Sequence, residues 1–280
     1  MITKNPMQLK ALIKNKAKEK SISAQLVMQN YMLERLLERM SLSKYRNNFI
    51  LKGGFLVSAI VGLDTRATMD LDTTIKGFTL THESINEIFE EICSIEIEDD
   101  VLFEIVSIVD IRETDDYPGV RVNLKANYAP ISVPLTVDVT TGDIITPREI
   151  KYSFSLMFDN RSISVWAYNL ETVLAEKIET ILSRGVANTR PRDYYDVYIL
   201  WKLRKEECDA KILKSALLHT AEKRGSINIL VKYQEIITQI QKSAQLQNFW
   251  NKYTKEFDYA NDIEFSNICD IILEIMELIV

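Results

Sequence analysis

The chain has 280 residues, of which 46% are apolar and 26% charged, with a formal net charge of −6. This length and apolar content allow one large domain or two modest ones, each with a buried core. With only 8 Gly and 6 Pro, the composition excludes a linker-rich or low-complexity chain. No apolar stretch reaches the roughly 18 residues needed to span a bilayer, so we expect no membrane span.

Six lysines fall within the first twenty residues, without the apolar block and small-residue cleavage site of a secretory signal. The three cysteines, Cys93, Cys208 and Cys269, are odd in number and far apart. This spacing predicts neither a disulfide framework nor a zinc cluster. A reducing cytoplasm is therefore the expected location.

Charge is distributed unevenly along the chain. The first fifty residues contain ten Lys or Arg against three Glu, so the excess of negative charge lies in the remainder. A basic arm on an acidic body is compatible with a nucleic-acid partner. A solvated amphipathic helix explains the same pattern equally well.

The first part of the chain mixes helices and strands. Helical periodicity and Ser23 as an N-cap predict helices at 6–20, 24–40, 55–61 and 82–93. Strands are predicted at 49–52, 70–75, 102–112, 120–126, 133–140, 152–158 and 163–167. We therefore expect residues 1–168 to form an α/β domain with a mixed sheet and N-terminal helices.

From Asn169 onward every strong periodicity is helical. The predicted helices are 170–183, 192–203, 209–223, 228–241, 245–256 and 261–279. In the last one, Asp270, Glu274 and Glu277 form a polar stripe on an otherwise apolar surface, which favours packing on that surface. The whole chain is predicted to be an α+β protein with an α-helical C-terminal domain, residues 169–280.

Asp70 and Asp72 are the first candidate site residues. Side chains alternate between faces on a strand, so both point one way while Leu71 and Thr73 point the other. Two neighbouring carboxylates repel unless they are solvated or neutralised by a cation, and oxygen ligands of this kind suit Mg²⁺. A plain solvated strand face remains the alternative.

Asp138 is a candidate third carboxylate. Alternation places it with Thr136 and Thr140, opposite the apolar set of the same strand. If this strand pairs near residues 70–75, Asp138 joins the first two carboxylates. Three carboxylates around two cations stabilise the attacking and leaving oxygens of an in-line phosphoryl displacement. A polar edge residue is an equally good interpretation.

Lys52, Gly53 and Gly54 precede a predicted helix, where glycines let the backbone approach an anion and the helix N-terminus offers free N–H donors. A simple turn would look the same. Arg66, shortly before the carboxylates, is either a phosphate ligand or a structural ion-pair partner.

Lys177 lies within the apolar stripe of the helix predicted at 170–183, whereas Glu176 points away. An inward lysine requires an anion or a path to water, and a triphosphate or a nearby carboxylate would serve. Asp193 shares a face with Val197 and is the better functional candidate, while Asp196 is explained as a first-turn charge.

In this order, these motifs resemble the AbiEii/AbiGii family of nucleotidyltransferase toxins, within the DNA polymerase β-like nucleotidyltransferase superfamily. The resemblance covers about residues 49–203. The segments that carry it are Lys52-Gly53-Gly54, Arg66-Ala67-Thr68-Met69-Asp70-Leu71-Asp72, Asp138, Ala175-Glu176-Lys177 and Arg192-Asp193-Tyr194-Tyr195-Asp196.

The resemblance implies a mixed-sheet nucleotidyltransferase core that transfers a nucleotide from an NTP to an acceptor. The acceptor is expected to be RNA, since related toxins of the MenT type modify the 3′ end of tRNA and so halt growth. It further implies Mg²⁺ or Mn²⁺ as cofactor, a role in abortive infection and phage defence, and a cognate antitoxin encoded next door.

By position, the resemblance also assigns roles to individual residues. The implied catalytic residues are Asp70, Asp72, Lys177 and Asp193. The implied metal ligands are Asp70, Asp72 and Asp138. The implied nucleotide ligands are Lys52, Gly53, Gly54, Arg66 and Lys177. In this scheme pyrophosphate leaves toward Lys177 and the glycine turn.

One position departs from the family, and two other functions compete. The family often has Thr or Ser after the glycine pair, where this chain has Phe55, so a hydroxyl contact to phosphate is not expected; Ser58 is a distant substitute. A metal-dependent nuclease would also use paired aspartates and a lysine, but that lysine usually lies on the sheet beside them. A non-catalytic binding module with an incidental acidic strand is the third possibility.

Overall fold

The computed structural model describes residues 5–111 and 119–280, which divide into two compact units. The first unit comprises the described residues of Met1–Asp143 together with Glu149–Ala167, and the second comprises Ile144–Arg148 together with Tyr168–Val280. The helices of the first unit are α1 (Pro6–Lys20), α2 (Ala24–Leu42), α3 (Gly53–Val61) and α4 (His82–Ser94). Its strands are β1 (Phe49–Lys52), β2 (Asp70–Ile75), β3 (Leu102–Ile111), β4 (Gly119–Tyr128), β5 (Ile131–Thr141), β6 (Ile150–Ser155) and β7 (Ser162–Ala167). The helices of the second unit are α5 (Leu170–Arg184), α6 (Pro191–Arg204), α7 (Ala210–Lys223), α8 (Ile229–Lys242), α9 (Ala244–Glu256) and α10 (Phe265–Ile279).

The strands of the first unit form one mixed sheet in the order β3-β4-β5-β2-β1-β7-β6. Neighbours are antiparallel except that β2 runs parallel to β5 and β1 runs parallel to β7. A parallel pair requires a long crossover, and α4, β3 and β4 supply it between β2 and β5. Because β2 is paired on both sides, the direction of each of its side chains is fixed.

One face of the central strands is apolar and covered. Leu71 of β2 lies opposite Val137 of β5 in the register, and both side chains are fully buried. Phe49 of β1 contacts Phe89 of α4 with a ring separation of 6.0 Å, so α4 covers this face. Side chains that alternate with this set, including Asp70 and Asp72, therefore point to the opposite face.

A buried network of charged side chains runs along α2. Arg35 donates to Glu34 and to Glu38, each at 2.6 Å, and all three side chains are nearly inaccessible. The other Glu34 oxygen accepts the backbone N–H of Met157 at 2.6 Å. Burial raises the pKa of Glu34 to about 7, against the opposing effect of Arg35.

The helices of the second unit begin at side-chain caps. Asn169 accepts the Thr172 N–H at 3.1 Å at the start of α5, and Asp209 and Ser243 cap α7 and α9 in the same way. The short segment Ile144–Arg148 belongs to this unit because the Asn169 amide donates to the Thr146 carbonyl at 2.7 Å. Periodicity alone does not reveal such a segment.

The structure confirms the α+β class, with a mixed sheet and a helical C-terminal region. The predicted strands occur with shifted ends, although Arg112, predicted to end a strand, lies outside the described residues. The division into domains at residues 168 and 169 stays a prediction, since compactness does not show that either part folds alone. No helix within the described ranges has the length and apolar character to cross a membrane.

The predicted start of the last helix, at residue 261, is wrong. The helix begins at Phe265, after a short 3₁₀ turn at Asp258–Ala260. The carbonyl of Ile263 accepts the indole N–H of Trp250 at 2.8 Å, so a side chain satisfies a group that a helix would have used. The predicted polar stripe of α10 is confirmed as its exposed side: Asp270, Glu274 and Glu277.

Candidate active site

Four charged residues lie side by side across the sheet of the first unit. Lys52 of β1 pairs with Asp72 of β2, Asp72 with Asp138 of β5, and Asp138 with Arg121 of β4. Residues paired in this way on neighbouring strands share a face of the sheet. We call these four residues, together with Asp70 on the same face of β2, the carboxylate row.

The placement of the three carboxylates agrees with the strand patterns. Asp70 and Asp72 are partly exposed, whereas Leu71 between them is fully buried. Asp138 was expected to join the other two carboxylates if its strand pairs near residues 70–75. In the structure β5 pairs directly with β2 and brings Asp138 beside Asp72. The sheet therefore places three acidic side chains on one face.

Asp72 is held by the glycine turn. Its Oδ2 accepts the N–H of Gly54 at 3.1 Å. A Cβ on Gly53 would lie 2.2 Å from the same oxygen, and Gly53 has a φ of +62°, so no other residue fits without displacing Asp72. The sequence predicted that this turn approaches an anion, and the anion in the structure is the carboxylate of Asp72. The predicted turn is also the first turn of α3, which begins at Gly53 and not at residue 55.

Asp138 is bound by Arg121, which the sequence analysis missed. The guanidinium donates from Nε and Nη2 to the two carboxylate oxygens at 2.8 and 2.9 Å. This bidentate contact raises the pKa of Arg121, and the charges of Asp70 and Asp72 act in the same direction. The signal was available, since the tight turn between β4 and β5 fixes the hairpin register that places Arg121 opposite Asp138.

Lys52 is the buried member of the row. Its ammonium donates to Asp143 and to the Thr140 hydroxyl, both at 2.6 Å. Burial alone would raise the pKa of Asp143, but Lys52 and the hydroxyl contacts outweigh it and hold that pKa well below its ordinary value. Lys52 therefore acts in this structure as a buried counter-charge.

Arg66 is also buried, with 1% of its surface exposed, and donates to the carbonyl of Ala67. Its Nη2 would lie 2.9 Å from a Cβ on Gly54, so the guanidinium packs against the glycine turn. Phe55, at the departure from the family pattern, stacks on Phe154 with a ring separation of 5.6 Å and takes no part in the row.

The donor set of the row fits a divalent cation in part. Asp70 and Asp72 offer hard oxygen ligands on a partly exposed face, as suits Mg²⁺ that shares its shell with water and phosphate. Both oxygens of Asp138 are bound by Arg121. Accordingly, no group of three His, Cys, Asp or Glu side chains in the described chain is arranged to hold a metal ion.

A second charged cluster lies in the second unit. Lys177 of α5 contacts Asp193 Oδ1 at 2.6 Å and Asp196 Oδ2 at 2.9 Å, both on α6. The Oδ2 atom of Asp193 is buried and has no hydrogen-bond partner within the described residues. The inward direction predicted for Lys177 is confirmed, and its ammonium contacts the carboxylates of Asp193 and Asp196.

The interpretation of Asp196 as a simple first-turn charge is wrong. Its side chain is fully buried against Lys177. Asp193 and Asp196 are three residues apart on α6 and so lie on one side of the helix. The i, i+3 spacing of the two acids was the signal in the sequence that Asp196 accompanies Asp193 on one side of α6.

Comparisons with known proteins agree with this architecture. A family model described as nucleotidyl transferase AbiEii toxin, type IV TA system, matches residues 35–270. The crystal structure of a proposed nucleotidyltransferase from H. pylori is similar over 92% of this chain and 96% of that chain, with a TM-score of 0.50 and 14% identity. The structure of JHP933 from Helicobacter pylori has a TM-score of 0.49 and 13% identity over 92% of each chain. A comparison with curated protein sequences gives no significant match.

Proposed function

Because the chain belongs to the AbiEii family of nucleotidyltransferase toxins of type IV toxin–antitoxin systems, we propose that it transfers a nucleotide from an NTP to an RNA acceptor at the carboxylate row. The observation that carries the proposal is the shared, partly exposed face of Asp70 and Asp72 beside the glycine turn. Family membership also disfavours the nuclease and the non-catalytic module.

Asp70 and Asp72 are the proposed ligands of Mg²⁺ or Mn²⁺, and Asp138 is the proposed third ligand. A divalent cation held by these carboxylates would neutralise charge on the phosphoryl oxygens and orient the triphosphate. The acceptor hydroxyl would attack the α-phosphate in line. Pyrophosphate is the leaving group.

The glycine turn is the proposed phosphate-binding element. The first turn of α3 begins at Gly53 and Gly54, and amides at a helix N-terminus favour an anion. Lys52 and Arg66 are buried next to this turn, so we propose that they act on the nucleotide through their positive charge. Neither side chain needs to touch the phosphates for this role.

Lys177 and Asp193 are proposed site residues on the strength of the family resemblance. Lys177 would bind a phosphate of the nucleotide with the ammonium that Asp193 now contacts. Asp193 would keep the lysine charged and directed. The unpartnered Oδ2 of Asp193 shows that this carboxylate retains an unused acceptor.

RNA is the proposed acceptor, and a lysine stripe on α1 supports it. Lys10, Lys14 and Lys18 recur every four residues on one exposed side of the helix. The apolar side of α1, with Leu9 and Ile13, is buried. Evenly spaced lysines on an acidic protein favour a phosphate backbone.

The antitoxin implied by the family is proposed to be encoded by a neighbouring gene, with growth arrest and phage defence as the outcome of an unopposed toxin. The acceptor is proposed to be the 3′ end of tRNA. A free terminal ribose there carries a hydroxyl that can attack the NTP, and its modification would prevent aminoacylation.

The test is incorporation of label from each of four α-labelled NTPs into total RNA, with Mg²⁺, Mn²⁺ or chelator. Asp70→Asn and Asp72→Asn should lower incorporation by at least about a hundredfold, since each removes a proposed ligand. Asp110→Asn is the matched control, because Asp110 is an exposed acid of the same sheet that pairs with His82.

Periodate treatment of the RNA destroys the terminal diol and should abolish labelling if the 3′ end is the acceptor. Labelling of treated RNA would exclude that acceptor. Full incorporation by Asp72→Asn would exclude the carboxylate row as the site, and loss of RNA length without NTP would favour a nuclease.

A further inference from the structure

We propose that Arg121 is a positioning residue that exchanges partners: in the nucleotide-free protein it holds Asp138 away from a cation, and it releases Asp138 when a triphosphate offers it a new anion. The inference rests on the proposed function, since it concerns the same carboxylate row. It predicts that cation and nucleotide strengthen each other's binding.

The geometry of the pair is the first argument. Arg121 binds both oxygens of Asp138 in a fork, which leaves that carboxylate only its outer lone pairs. Asp138 lies directly beside Asp72 in the sheet register. The side chain best placed to be the third ligand is thus the one already occupied.

Charge is the second argument. Asp70, Asp72 and Asp138 place three negative charges on one face, and Arg121 of β4 binds one of them, Asp138, directly. An arginine is always protonated, so it competes with any divalent cation for the same field at every pH.

Exposure is the third argument. The Arg121 side chain is 42% exposed, whereas Asp138 is only 17% exposed. The guanidinium is therefore accessible to an arriving ligand. Phosphate and carboxylate oxygens accept the same bidentate contact from arginine, which makes a triphosphate a suitable second partner.

A purely structural role makes a different prediction. A half-exposed cross-strand ion pair contributes little to stability, and a purely structural Arg121 would give no gain in cation affinity that depends on Asp138. A cation in contact with a carboxylate shifts the affinity of that carboxylate for a proton by a factor of about 10 or more. We expect a shift of similar size in its affinity for a metal ion. The two roles are therefore separated by cation affinity.

The experiment measures Mn²⁺ binding to the full chain by electron paramagnetic resonance of the free ion, without nucleotide. Arg121→Gln should bind Mn²⁺ at least about tenfold more tightly than the native protein. Arg121→Lys should fall between them, because lysine keeps the charge but not the fork. Lys125→Gln, which removes an exposed charge from the same strand, should match the native protein.

Two further measurements complete the test. A non-hydrolysable NTP analogue should strengthen Mn²⁺ binding more in the native protein than in Arg121→Gln. Adding Asp138→Asn to Arg121→Gln should remove the gain, which ties it to that carboxylate. Thermal melting checks that each variant is folded, and Arg121→Lys serves if Arg121→Gln is not.

Equal or weaker Mn²⁺ binding by folded Arg121→Gln would overturn the inference, as would a gain that survives the loss of Asp138 or the absence of binding to either protein. Its failure is distinct from that of the proposed function. Native protein that labels no RNA would remove the latter, while an Asp138-dependent gain in Mn²⁺ affinity would still support the former.

Discussion

The exposed part of the carboxylate row in the first unit and the cluster of Lys177, Asp193 and Asp196 in the second both join a cation to carboxylates, but they differ in exposure. In the row, Arg121 is 42% exposed, and Asp70 and Asp72 are partly exposed. In the cluster, Asp196 is fully buried and Lys177 is 18% exposed. Exposed charged side chains can exchange partners at little cost, whereas buried charged side chains depend on each other. The exposure of a charged residue therefore determines the effect of its substitution on stability more than its residue type does.

The largest expected difference concerns stability. Lys177→Met should leave Asp193 and Asp196 buried without their cation and lower the free energy of unfolding by about 3–5 kcal/mol. Arg121→Met should lower it by no more than about 1 kcal/mol, since its carboxylate partner can be hydrated. Chemical denaturation of both variants measures the contrast, and similar losses would contradict it.

Burial of a charged group also matters within the first unit. The pH dependence of stability can test this at Glu34. Its pKa is raised by burial from 4.5 to about 7, so the folded protein binds this proton more tightly than the unfolded chain does. The contribution of Glu34 to the free energy of unfolding is fully present below pH 4.5. It is lost as the pH rises to 7, by up to about 3 kcal/mol.

The check is to compare unfolding free energies of the native protein and Glu34→Gln between pH 4.5 and 7. The variant should lose less stability over this range than the native protein. Glu104→Gln, which removes an exposed acid on β3, is the control and should follow the native curve. Parallel curves for Glu34→Gln and the native protein would show that Glu34 ionises at its ordinary pKa.

A third comparison sets two glycines with similar backbone angles against each other. Gly53 and Gly225 have φ of +62° and +64°, but a Cβ would meet Asp72 at Gly53 and nothing within 4 Å at Gly225. Gly225→Ala should cost only the backbone strain of about 1 kcal/mol. Gly53→Ala should cost about 2 kcal/mol more and also displace Asp72, so RNA labelling should fall with it. Equal losses of stability would contradict the close approach.

The smallest effect is expected on the surface. Replacing Lys10, Lys14 and Lys18 by Gln should weaken RNA binding and reduce its logarithmic salt slope by about 2, as expected for three phosphate contacts. The matched variant replaces Lys242, Lys252 and Lys255, three exposed lysines of the second unit, with the same change in net charge. Fluorescence anisotropy across a salt series measures both, and identical slopes would show that only net charge matters.

Features that depend on neighbouring residues were predicted from the sequence, whereas features that depend on distant segments were not. Alternation along β2 placed Asp70 and Asp72 on one face, and helical periodicity turned Lys177 inward, because both depend on neighbours within a few residues. Strand pairing depends on distant segments, so the position of Asp138 was only conditional. Arg121 was missed for a related reason: its importance arises from the strand beside it.

Asp196 and Gly54 show what the sequence left open. Asp196 looked like a helix-start charge because the favourable dipole position and the buried ion pair select the same residue type. The turn at Gly54 was expected to approach an anion, and in the structure the Gly54 N–H donates to Asp72. In both cases sequence identified a group that seeks a partner of opposite polarity, and only the fold could name that partner.

The parallel pairing of β2 with β5 has a consequence for synthesis. Asp72 and Asp138 are adjacent in space but separated by a helix and a two-stranded excursion along the chain. Such distant contacts form late, after the intervening segment has closed. A polypeptide still emerging from the ribosome, with β5 not yet extruded, holds only part of the row, so the row is completed after most of the first unit has been made.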